Sequence, residues 1–459
     1  MQNKSFNPKV ILFIAAFAAF IATFNETYLN VAFTPIMSDL LIDENTVQWL
    51  TTAYMLGAAV MVPVSAFLYR NLKTRYLFLG SVGLLIIGSI IAALAVNFQT
   101  LLIGRIIQSL GTGVLIPIGM NITLEAAAPQ VIGRYLGIVG AMTTLGPSLS
   151  VIVAGGLLSV SSGNWHILFW VFTALCALCF ISALVKLPNI AQLTKPKLDI
   201  LSTILISFAL IGILYAISTS FAGNILISAI SAVVGIVCLV IFVVRQNKIP
   251  NPLINLKPLG VRVFRIGVII NMISLIVIFS MNIVLPIYLQ GILGADAMLA
   301  SLILFPAILL SCIVAPLAGR AYDKRGVKVL LPLGFILITA ALIAIVMTIS
   351  SGLMWLIALL YIPVICGSAL IIGPVQSFAL SRLSPDIIPH GVVVMSTGFQ
   401  IAGCIGSSLF MGIYSVFVAS GTGFIYAALL AAAFAFVGII LTVVIGRFEH
   451  RKADSVKSV

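Results

Sequence analysis

One carboxylate lies inside an apolar stretch near the start of the chain. It belongs to Glu26, in the segment FAAFIATFNETYLNVAFTPI, residues 17–36. In a helix it would lie about 12 Å from the end of the stretch near residue 34, and a charge at that depth costs at least about 2.5 kcal/mol. Such residues usually face a cavity or a partner, and loss of water penalises the charged form. Glu26 is therefore predicted to bind a proton or a cationic substrate; the alternative is a fixed ion pair, or a neutral acid hydrogen-bonded for packing.

Arg105 is the one basic residue that lies inside an apolar stretch. It would lie about 9 Å from the start of its own stretch near residue 99, a depth comparable with that of Glu26. A contact between the two would favour the charged carboxylate, and loosening the contact would let a proton bind. Arg105 is therefore predicted as a second proton-coupling residue; the alternative is a structural guanidinium that hydrogen-bonds helix backbones.

The elements that position these two residues are long apolar segments. Of 459 residues, 62% are hydrophobic and 8% are charged, a composition typical of an integral membrane protein. A helix needs about 20 apolar residues to cross a bilayer. Fourteen segments meet this length, near residues 9–34, 47–69, 76–97, 99–122, 135–158, 165–186, 199–219, 222–244, 266–290, 297–319, 328–350, 353–380, 391–417 and 423–446.

With fourteen spans, the basic residues fall almost entirely on one side of the membrane. With the N-terminus in the cytoplasm, every Lys and Arg except Arg105 falls in a cytoplasmic loop or at that rim, as the positive-inside rule requires. The acids other than Glu26 fall at or beyond a membrane face. The sequence therefore predicts a multi-pass protein of the plasma membrane with both termini in the cytoplasm. Basic residues scattered over short loops form no nucleic-acid surface, so no nucleic-acid partner is expected.

Two loops repeat each other: PVSAFLYRNLKTR, residues 63–75, and PLAGRAYDKRGVK, residues 316–328. Each follows the second span of a six-span set, and a proline, a tyrosine and a basic residue match at one constant spacing. That spacing exceeds half the chain, which predicts a helix pair inserted between two repeats. Parallel repeats with a substrate path at their interface are typical of transporters. We predict an all-α membrane protein of fourteen helices, with six-helix bundles in residues 1–190 and 251–459 and the inserted pair in residues 191–250.

The second of these loops resembles the signature loop of the major facilitator superfamily. In that family the glycine, aspartate and basic residues of the loop pack the cytoplasmic ends of neighbouring helices and favour the outward-facing state. The matching residues are Gly319, Asp323, Lys324, Gly326 and Lys328. The copy in the first repeat departs from the pattern, with Ala66 in place of the glycine and Arg70 in place of the aspartate.

Two further segments resemble motifs of the same superfamily. GRIIQSLGTG, residues 104–113, is similar to its fourth-helix motif, and GAMTTLGPSLS, residues 140–150, is similar to the fifth-helix motif of its antiporters. The matching residues are Arg105, Gln108, Gly111, Gly140, Gly146 and Pro147. The resemblance implies that these residues act in conformational change rather than in substrate binding.

The segment NETYLNVAFTPI, residues 25–36, resembles the first-helix signature of the fourteen-helix drug:proton antiporters. The acid usual in that family aligns with Asn25, and this chain has Glu26 one residue later. The resemblance extends over nearly the whole chain, and the motifs are specific jointly although each alone is not. The resemblance implies that the first and fourth helices line one cavity, in which Glu26 and Arg105 could meet directly or through water.

Polar and aromatic residues inside the spans are candidates for lining a substrate path. Aromatic faces attract cations, although a ring in a span more often packs or contacts lipid. A carboxamide there more often joins helices than binds substrate. Besides Glu26, the predicted substrate-binding residues are Tyr28, Asn30, Tyr54, Asn271, Asn282, Gln376 and Gln400.

These observations together predict a proton-coupled antiporter that exports amphipathic or cationic compounds. The residues indicate a transporter, and the resemblance implies drug export. No paired carboxylates, P-loop or metal-ligand cluster is found in the sequence, so we expect no enzyme activity, no cofactor and no metal. The expected partners are small amphipathic molecules, protons and lipid, with the protein acting as a monomer. The alternatives are an exporter of one dedicated metabolite and a non-transporting membrane receptor or scaffold.

The predicted topology can be tested in the loop between Asn247 and Arg265. This loop is basic and proline-rich, and it should link the inserted helices to the second repeat on the cytoplasmic side. A cysteine placed at Asn255, once the native cysteines are removed, should resist a membrane-impermeant thiol reagent in intact cells and react after the cells are opened. Labelling from outside would contradict the count of fourteen spans.

Overall fold

The computed structural model describes residues 8–126, 132–190, 193, 199–220, 225–249, 252–384 and 387–457. Within these residues the secondary structure is helical, without β-strands. We number the long helices α1 to α14. Their bounds are α1 Pro8–Thr27, α2 Trp49–Asn71, α3 Thr74–Ala93, α4 Phe98–Ala126, α5 Ile132–Val160, α6 His166–Lys186, α7 Ile200–Thr219, α8 Ile225–Gln246, α9 Arg262–Gly291, α10 Ala297–Arg325, α11 Val327–Thr348, α12 Met354–Leu380, α13 Ile388–Phe417 and α14 Gly423–Lys457.

Short helical elements complete the connections. A 3-10 turn, Tyr28–Ala32, and a further helix, Phe33–Leu40, extend α1, while Glu44–Val47 and Lys257–Gly260 precede α2 and α9. The extension of α1 differs from the single uninterrupted first span that the sequence predicts.

Thirteen helices of the described chain are long and apolar enough to cross a membrane. The remaining predicted span corresponds to α5, in which Leu145–Val160 is a shorter apolar helical segment. The all-helical membrane fold predicted from the sequence is confirmed, with a helix at each of the fourteen predicted segments.

Loop acids begin several of these helices. The carboxylates of Asp43, Asp199 and Asp296 accept hydrogen bonds from backbone N–H groups three residues later, in the usual N-cap arrangement. Gly326 joins α10 to α11 with φ 67° and ψ −163°, a conformation that is essentially restricted to glycine. The backbone conformation of this turn thus requires a glycine at position 326 of the signature loop.

Helix packing repeats between the first six and the last six helices. In the first set α1 packs on α5, α2 on α4, and α3 on both α4 and α6; in the second set α9 packs on α13, α10 on α12, and α11 on both α12 and α14. The contact of α3 with α4 brings Gly88 against Gly104, and the equivalent contact of α11 with α12 brings Gly334 against Gly367. Each set therefore folds as a bundle of the same architecture, in agreement with the loop repeat.

The two bundles meet through equivalent helices. α2 packs on α13, and α5 packs on α10. In each contact the second helix of one bundle packs on the fifth helix of the other, so the two contacts are equivalent with the bundles exchanged. This exchange is the relation that two parallel repeats require. The interface between the bundles therefore contains the helices on which a central site can be built.

The inserted helices α7 and α8 pack mainly on each other, and α7 also contacts α2 and α13. Ala59 and Val62 of α2, Ile206 and Leu210 of α7, and Val393 of α13 belong to one buried apolar cluster. The pair thus lies beside one seam between the bundles. The predicted boundaries of the pair, residues 191 and 250, stay a prediction, because they fall among residues outside the described ranges.

An ion pair closes one end of the inserted pair. The Nε and Nη2 groups of Arg245 in α8 each donate a 3.0 Å hydrogen bond to the carboxylate of Asp199, the residue before α7. This bidentate contact holds the pKa of Asp199 at about 2. Near the middle of the two helices Gly212 faces Gly235, which lets their backbones come close.

Two glycines of α5 provide a matched test of helix packing. A Cβ atom at Gly146 would lie 2.7 Å from the backbone nitrogen of Phe24 and 2.8 Å from the carbonyl of Phe20, both in α1, whereas a Cβ atom at Gly156 would meet nothing within 4 Å. We expect Gly146→Ala to lower the free energy of unfolding by about 1–3 kcal/mol, because backbone atoms cannot move aside cheaply. Gly156→Ala should leave it unchanged or raise it by up to about 1 kcal/mol, because alanine favours the helix more than glycine does. Thermal unfolding in detergent measures both, and equal effects would contradict this packing.

Candidate functional site

Glu26 lies one residue before the end of α1 and is fully buried. Its Oε1 atom accepts a 2.8 Å hydrogen bond from the Nε2 group of Gln400. Gln400 belongs to α13, so this bond joins the first bundle to the second. The other carboxyl oxygen, Oε2, has no hydrogen-bond partner. The carboxyl group therefore keeps one free oxygen at the contact between the two bundles.

The backbone of the first span changes from α-helix to 3-10 helix after Thr27, the residue that follows Glu26. Pro35 lacks an N–H group, so it cannot donate to the carbonyl of Val31 four residues earlier. The Nε2 group of Gln290, at the end of α9, donates to that carbonyl at 3.4 Å. A side chain of the second bundle thus satisfies the backbone of the first span where the 3-10 turn Tyr28–Ala32 interrupts it.

Arg105 is fully buried in α4 and connects that helix to α1 and α2. Its Nε group donates to the carbonyl of Leu50 at 3.2 Å. Its Nη1 group donates to the backbone carbonyl of Asn25 at 3.1 Å, to the side-chain oxygen of Asn25 at 3.0 Å and to Gln108 at 3.0 Å. The ring of Tyr54 lies 4.0 Å from Cζ. The guanidinium group therefore holds the residue next to Glu26 in place.

Glu26 and Arg105 do not form a direct ion pair, because the hydrogen bonds of Arg105 go to Asn25, Leu50 and Gln108. Their charges still interact across the buried space between them. This geometry is the one expected of the structural alternative, in which the guanidinium bonds helix backbones. A part for Arg105 in proton coupling stays a prediction.

Further hydrogen bonds spread from Arg105 through the first bundle. The amide of Asn25 donates to the Tyr54 hydroxyl at 3.0 Å, and that hydroxyl bonds to Thr112. Gln108 donates to the Ser89 hydroxyl at 2.7 Å. Helices α1 to α4 are joined in this way, and a connected buried polar network restricts its members to one arrangement.

Two predicted substrate-binding residues lie close to the 3-10 turn. The ring of Tyr28 packs against Phe169 and Phe172 of α6, with centroid distances of 5.7 and 5.6 Å. Asn30 accepts a 3.0 Å hydrogen bond from Thr51. The Tyr28 hydroxyl and the Asn30 Nδ2 group are buried without a partner, so both retain unused hydrogen-bonding capacity.

Three other predicted substrate-binding residues pair inside the second bundle. Gln376 donates to Asn271 at 3.3 Å, and Asn282 accepts a 3.3 Å hydrogen bond from Tyr361. These bonds join α9 to α12, so the three amides join helices, which is the more common role of a carboxamide in a span. The structure does not bring these three amides to Glu26, and their binding role stays a prediction.

The residues of the superfamily motifs have different surroundings. Gln108 belongs to the Arg105 network, and a Cβ atom at Gly111 would collide with the carbonyl of Ser81 in α3. Pro147 lies within α5.

The signature loop between α10 and α11 is less tightly packed. A Cβ atom at Gly319 would meet nothing within 4 Å, so the close helix packing that the resemblance implies is not found at that glycine. Lys324 and Lys328 are exposed. The surroundings of Gly140 and the side chain of Asp323 lie outside the described part of the chain.

Several residues of the site are not among those predicted. Asn25, an amide inside a span next to Glu26, could have been found by the same depth argument. Thr52 and Ser408 join α2 to α13 through a 2.9 Å hydrogen bond, and Ser415 of α13 donates to Asn45 at 3.0 Å. Small hydroxyls of this kind carry no sequence signal, because most of them bond their own helix backbone.

Two repeated helix bundles with a buried polar centre at their interface define a membrane transporter. The chain belongs to the Major Facilitator Superfamily, whose family model matches residues 15–407. The superfamily and the transporter class predicted from the sequence are confirmed, and the chain is a transporter, not an enzyme.

Known relatives carry drug-resistance names. The chain is 35% identical to a lincomycin resistance protein of Bacillus subtilis, over 90% of this chain and 86% of that protein. It is 28% identical to a multidrug resistance protein B homolog of Mycobacterium tuberculosis, over 86% of this chain and 74% of that protein. The crystal structure of a POT family transporter in complex with a thioalcohol-conjugated peptide shares the fold, with a TM-score of 0.71, 17% identity and 96% of each chain covered.

The Arg105 contacts predict that lysine cannot replace this arginine. A single ammonium group cannot reach Leu50, Asn25 and Gln108 together, and each buried acceptor left unpaired costs about 1–3 kcal/mol. We expect Arg105→Lys to lower the thermal unfolding midpoint in detergent clearly. Arg245→Lys is the control, since it makes the same change at a partly exposed ion pair near the helix ends. A control as harmful as Arg105→Lys would show that the buried contacts contribute nothing special.

Proposed function

We propose that this chain is a proton-coupled multidrug efflux antiporter of the fourteen-helix drug:proton type, exporting amphipathic and often cationic compounds. The superfamily and the resistance-protein relatives support drug efflux. The single observation that carries the proton coupling is the position of Glu26, a fully buried carboxyl group at the contact between the two bundles. No other acid of the sequence lies deep in a span.

Proton and substrate compete for Glu26 in this proposal. The carboxylate accepts either a proton or the positive charge of a substrate, and Oε2 has no other partner. A buried charge without a partner is costly, so the site is stable when it holds one of the two. Exchange of one proton for one monovalent cation would be nearly electroneutral.

Arg105 has a positioning role in this mechanism. It bonds the backbone carbonyl of Asn25, the residue before Glu26, and so fixes the end of α1 against α2 and α4. Its charge favours the ionised carboxylate, which helps Glu26 to release its proton. The aromatic ring of Tyr28, directly after α1, stacks on Phe24 and Phe172, and in this proposal a cationic substrate takes the place of one of these contacts.

The proposal places the protein in the plasma membrane as a monomer, with both termini in the cytoplasm. The first bundle comprises residues 1–190, the inserted pair residues 191–250 and the second bundle residues 251–459. The hydrogen bond that Ser415 donates to Asn45 and the one between Thr52 and Ser408 then lie toward the outer face, because α2 begins and α13 ends there.

A narrower function is favoured by one comparison. The relative at 35% identity is named for resistance to lincomycin alone, which supports an exporter with one dedicated type of substrate. Efflux of a panel of unrelated cationic dyes and antibiotics distinguishes the two functions. A multidrug exporter should move several of them, and a dedicated exporter one.

Proton-driven uptake into inverted membrane vesicles, which corresponds to efflux from the cell, tests the role of Glu26. Glu26→Gln has the shape of the protonated acid but cannot release a proton, so it should lose uphill efflux while retaining downhill exchange. Glu26→Asp should retain part of the activity if its shorter side chain reaches the site.

Asp43→Asn is the matched control. It removes one exposed carboxylate but keeps an oxygen that can cap the Thr46 N–H group, and it should transport like the wild type. Uphill efflux by Glu26→Gln at the wild-type rate would place the proton carrier elsewhere.

A further inference from the structure

The contact between Glu26 and Gln400 contains two unused atoms. The Nε2 group of Gln400 donates to Oε1 of Glu26, while Oε2 of Glu26 and Oε1 of Gln400 are both buried without a hydrogen-bond partner. Both side chains are fully buried, with exposed fractions of 0% and 1%. Unsatisfied polar atoms in such a place are costly, so two of them on one pair of side chains require an explanation.

The protonation state of Glu26 explains both atoms. An ionised carboxylate can only accept hydrogen bonds, so it offers nothing to the carbonyl oxygen of an amide. A protonated carboxyl group carries one O–H donor in addition. A proton on Oε2 can therefore be donated to Oε1 of Gln400, while Oε1 of Glu26 continues to accept from Nε2. Acid and amide then complement each other through two hydrogen bonds.

We propose that Gln400 is a positioning residue that binds protonated Glu26 through a two-bond acid–amide pair, so that uptake of the proton holds α1 of the first bundle against α13 of the second. This inference rests on the proposed proton exchange at Glu26. Loss of the proton removes one of the two bonds and leaves the Gln400 carbonyl facing a carboxylate, which weakens the contact between the bundles. Gln400 thereby links the proton to the conformation rather than contacting the substrate.

The surroundings of Glu26 fit this role. Arg105 from α4 is the charged group that acts on Glu26, and the charge of Glu26 in turn acts on Tyr54 from α2 and Cys404 from α13. None of these is its hydrogen-bond partner. Gln400 is the side chain that contacts the carboxyl group directly, and it comes from the opposite bundle.

Spin-label distances can measure closure between the bundles without transport. Val96 follows α3 and Met347 lies near the end of α11, in opposite bundles, and both are well exposed. Cysteines at these two positions, in a chain lacking its six native cysteines, carry the labels. The fraction of molecules with the short distance is recorded as the pH is lowered, for the wild-type site and for each variant.

Gln400→Met tests the pair because methionine has a similar length but no amide. In the wild type, protonation should raise the closed-to-open ratio about fivefold more than in Gln400→Met, the factor typical of one additional hydrogen bond. In Glu26→Gln the new amide N–H replaces the acid O–H, so the closed fraction should be high and independent of pH. An equal pH response in Gln400→Met and the wild type would overturn the proposal.

Gln290→Met is the matched control. Gln290 also bonds across the two bundles, but its acceptor is the backbone carbonyl of Val31, which takes up no proton. This variant should lower the closed fraction at every pH and leave the protonation response unchanged. Loss of the response in this control would show that any cross-bundle bond has the same effect, which would also overturn the specific role of Gln400.

An infrared measurement on the wild type does not depend on the folding of the Gln400 variant. The carboxyl C=O band that disappears in Glu26→Gln should lie at the frequency of a doubly hydrogen-bonded acid. A band at the frequency of a free acid would overturn the acid–amide pair. Neither result depends on efflux: uphill transport by Glu26→Gln would refute the proposed function, whereas the spin-label and infrared results test Gln400 alone.

Discussion

Glu26 is fully buried where α1 meets α13, and a carboxyl group in that position must find its partners within the protein, because hydrocarbon provides none. The surrounding structure supplies one amide donor from the opposite bundle and leaves one oxygen free. A carboxyl group with both oxygens hydrogen-bonded in one conformation would hold the molecule in that conformation. In the proposed mechanism, this incomplete satisfaction makes the contact responsive to a proton or a positively charged ligand.

The two buried charges are supported in different ways. Arg105 is surrounded by acceptors on α1, α2 and α4, all within the first bundle, and so it stabilises that bundle as one unit. Glu26 instead accepts a single hydrogen bond from the second bundle, donated by Gln400. The first arrangement is suited to a rigid body, and the second to a contact that forms and breaks as the bodies move. Asn25 and Glu26, adjacent in the chain, therefore belong to different functional parts.

The interruption of the first span also lies where the first bundle contacts the second. Pro35 frees the carbonyl of Val31, and Gln290 of α9 satisfies it. A backbone group of the first bundle thus depends on a side chain of the second. Irregular backbone at membrane depth is tolerated only where protein or a polar cavity surrounds it, which is the case at the interface between the bundles.

The fourteen apolar segments, the loop repeat and the one deep acid are properties of the sequence, because span length, charge placement and periodicity act locally. They were sufficient to predict the helical architecture and the burial of Glu26, while the superfamily was predicted from the resemblance of short motifs. The partner of that acid was decided only by the tertiary structure, since Gln400 comes from a helix of the other bundle and its amide looks like any helix-joining amide in the sequence. The same holds for Arg105. Its depth in the membrane could be predicted from the sequence, but its hydrogen bonds to Asn25 and Leu50 rather than to Glu26 depend on how α1, α2 and α4 pack together.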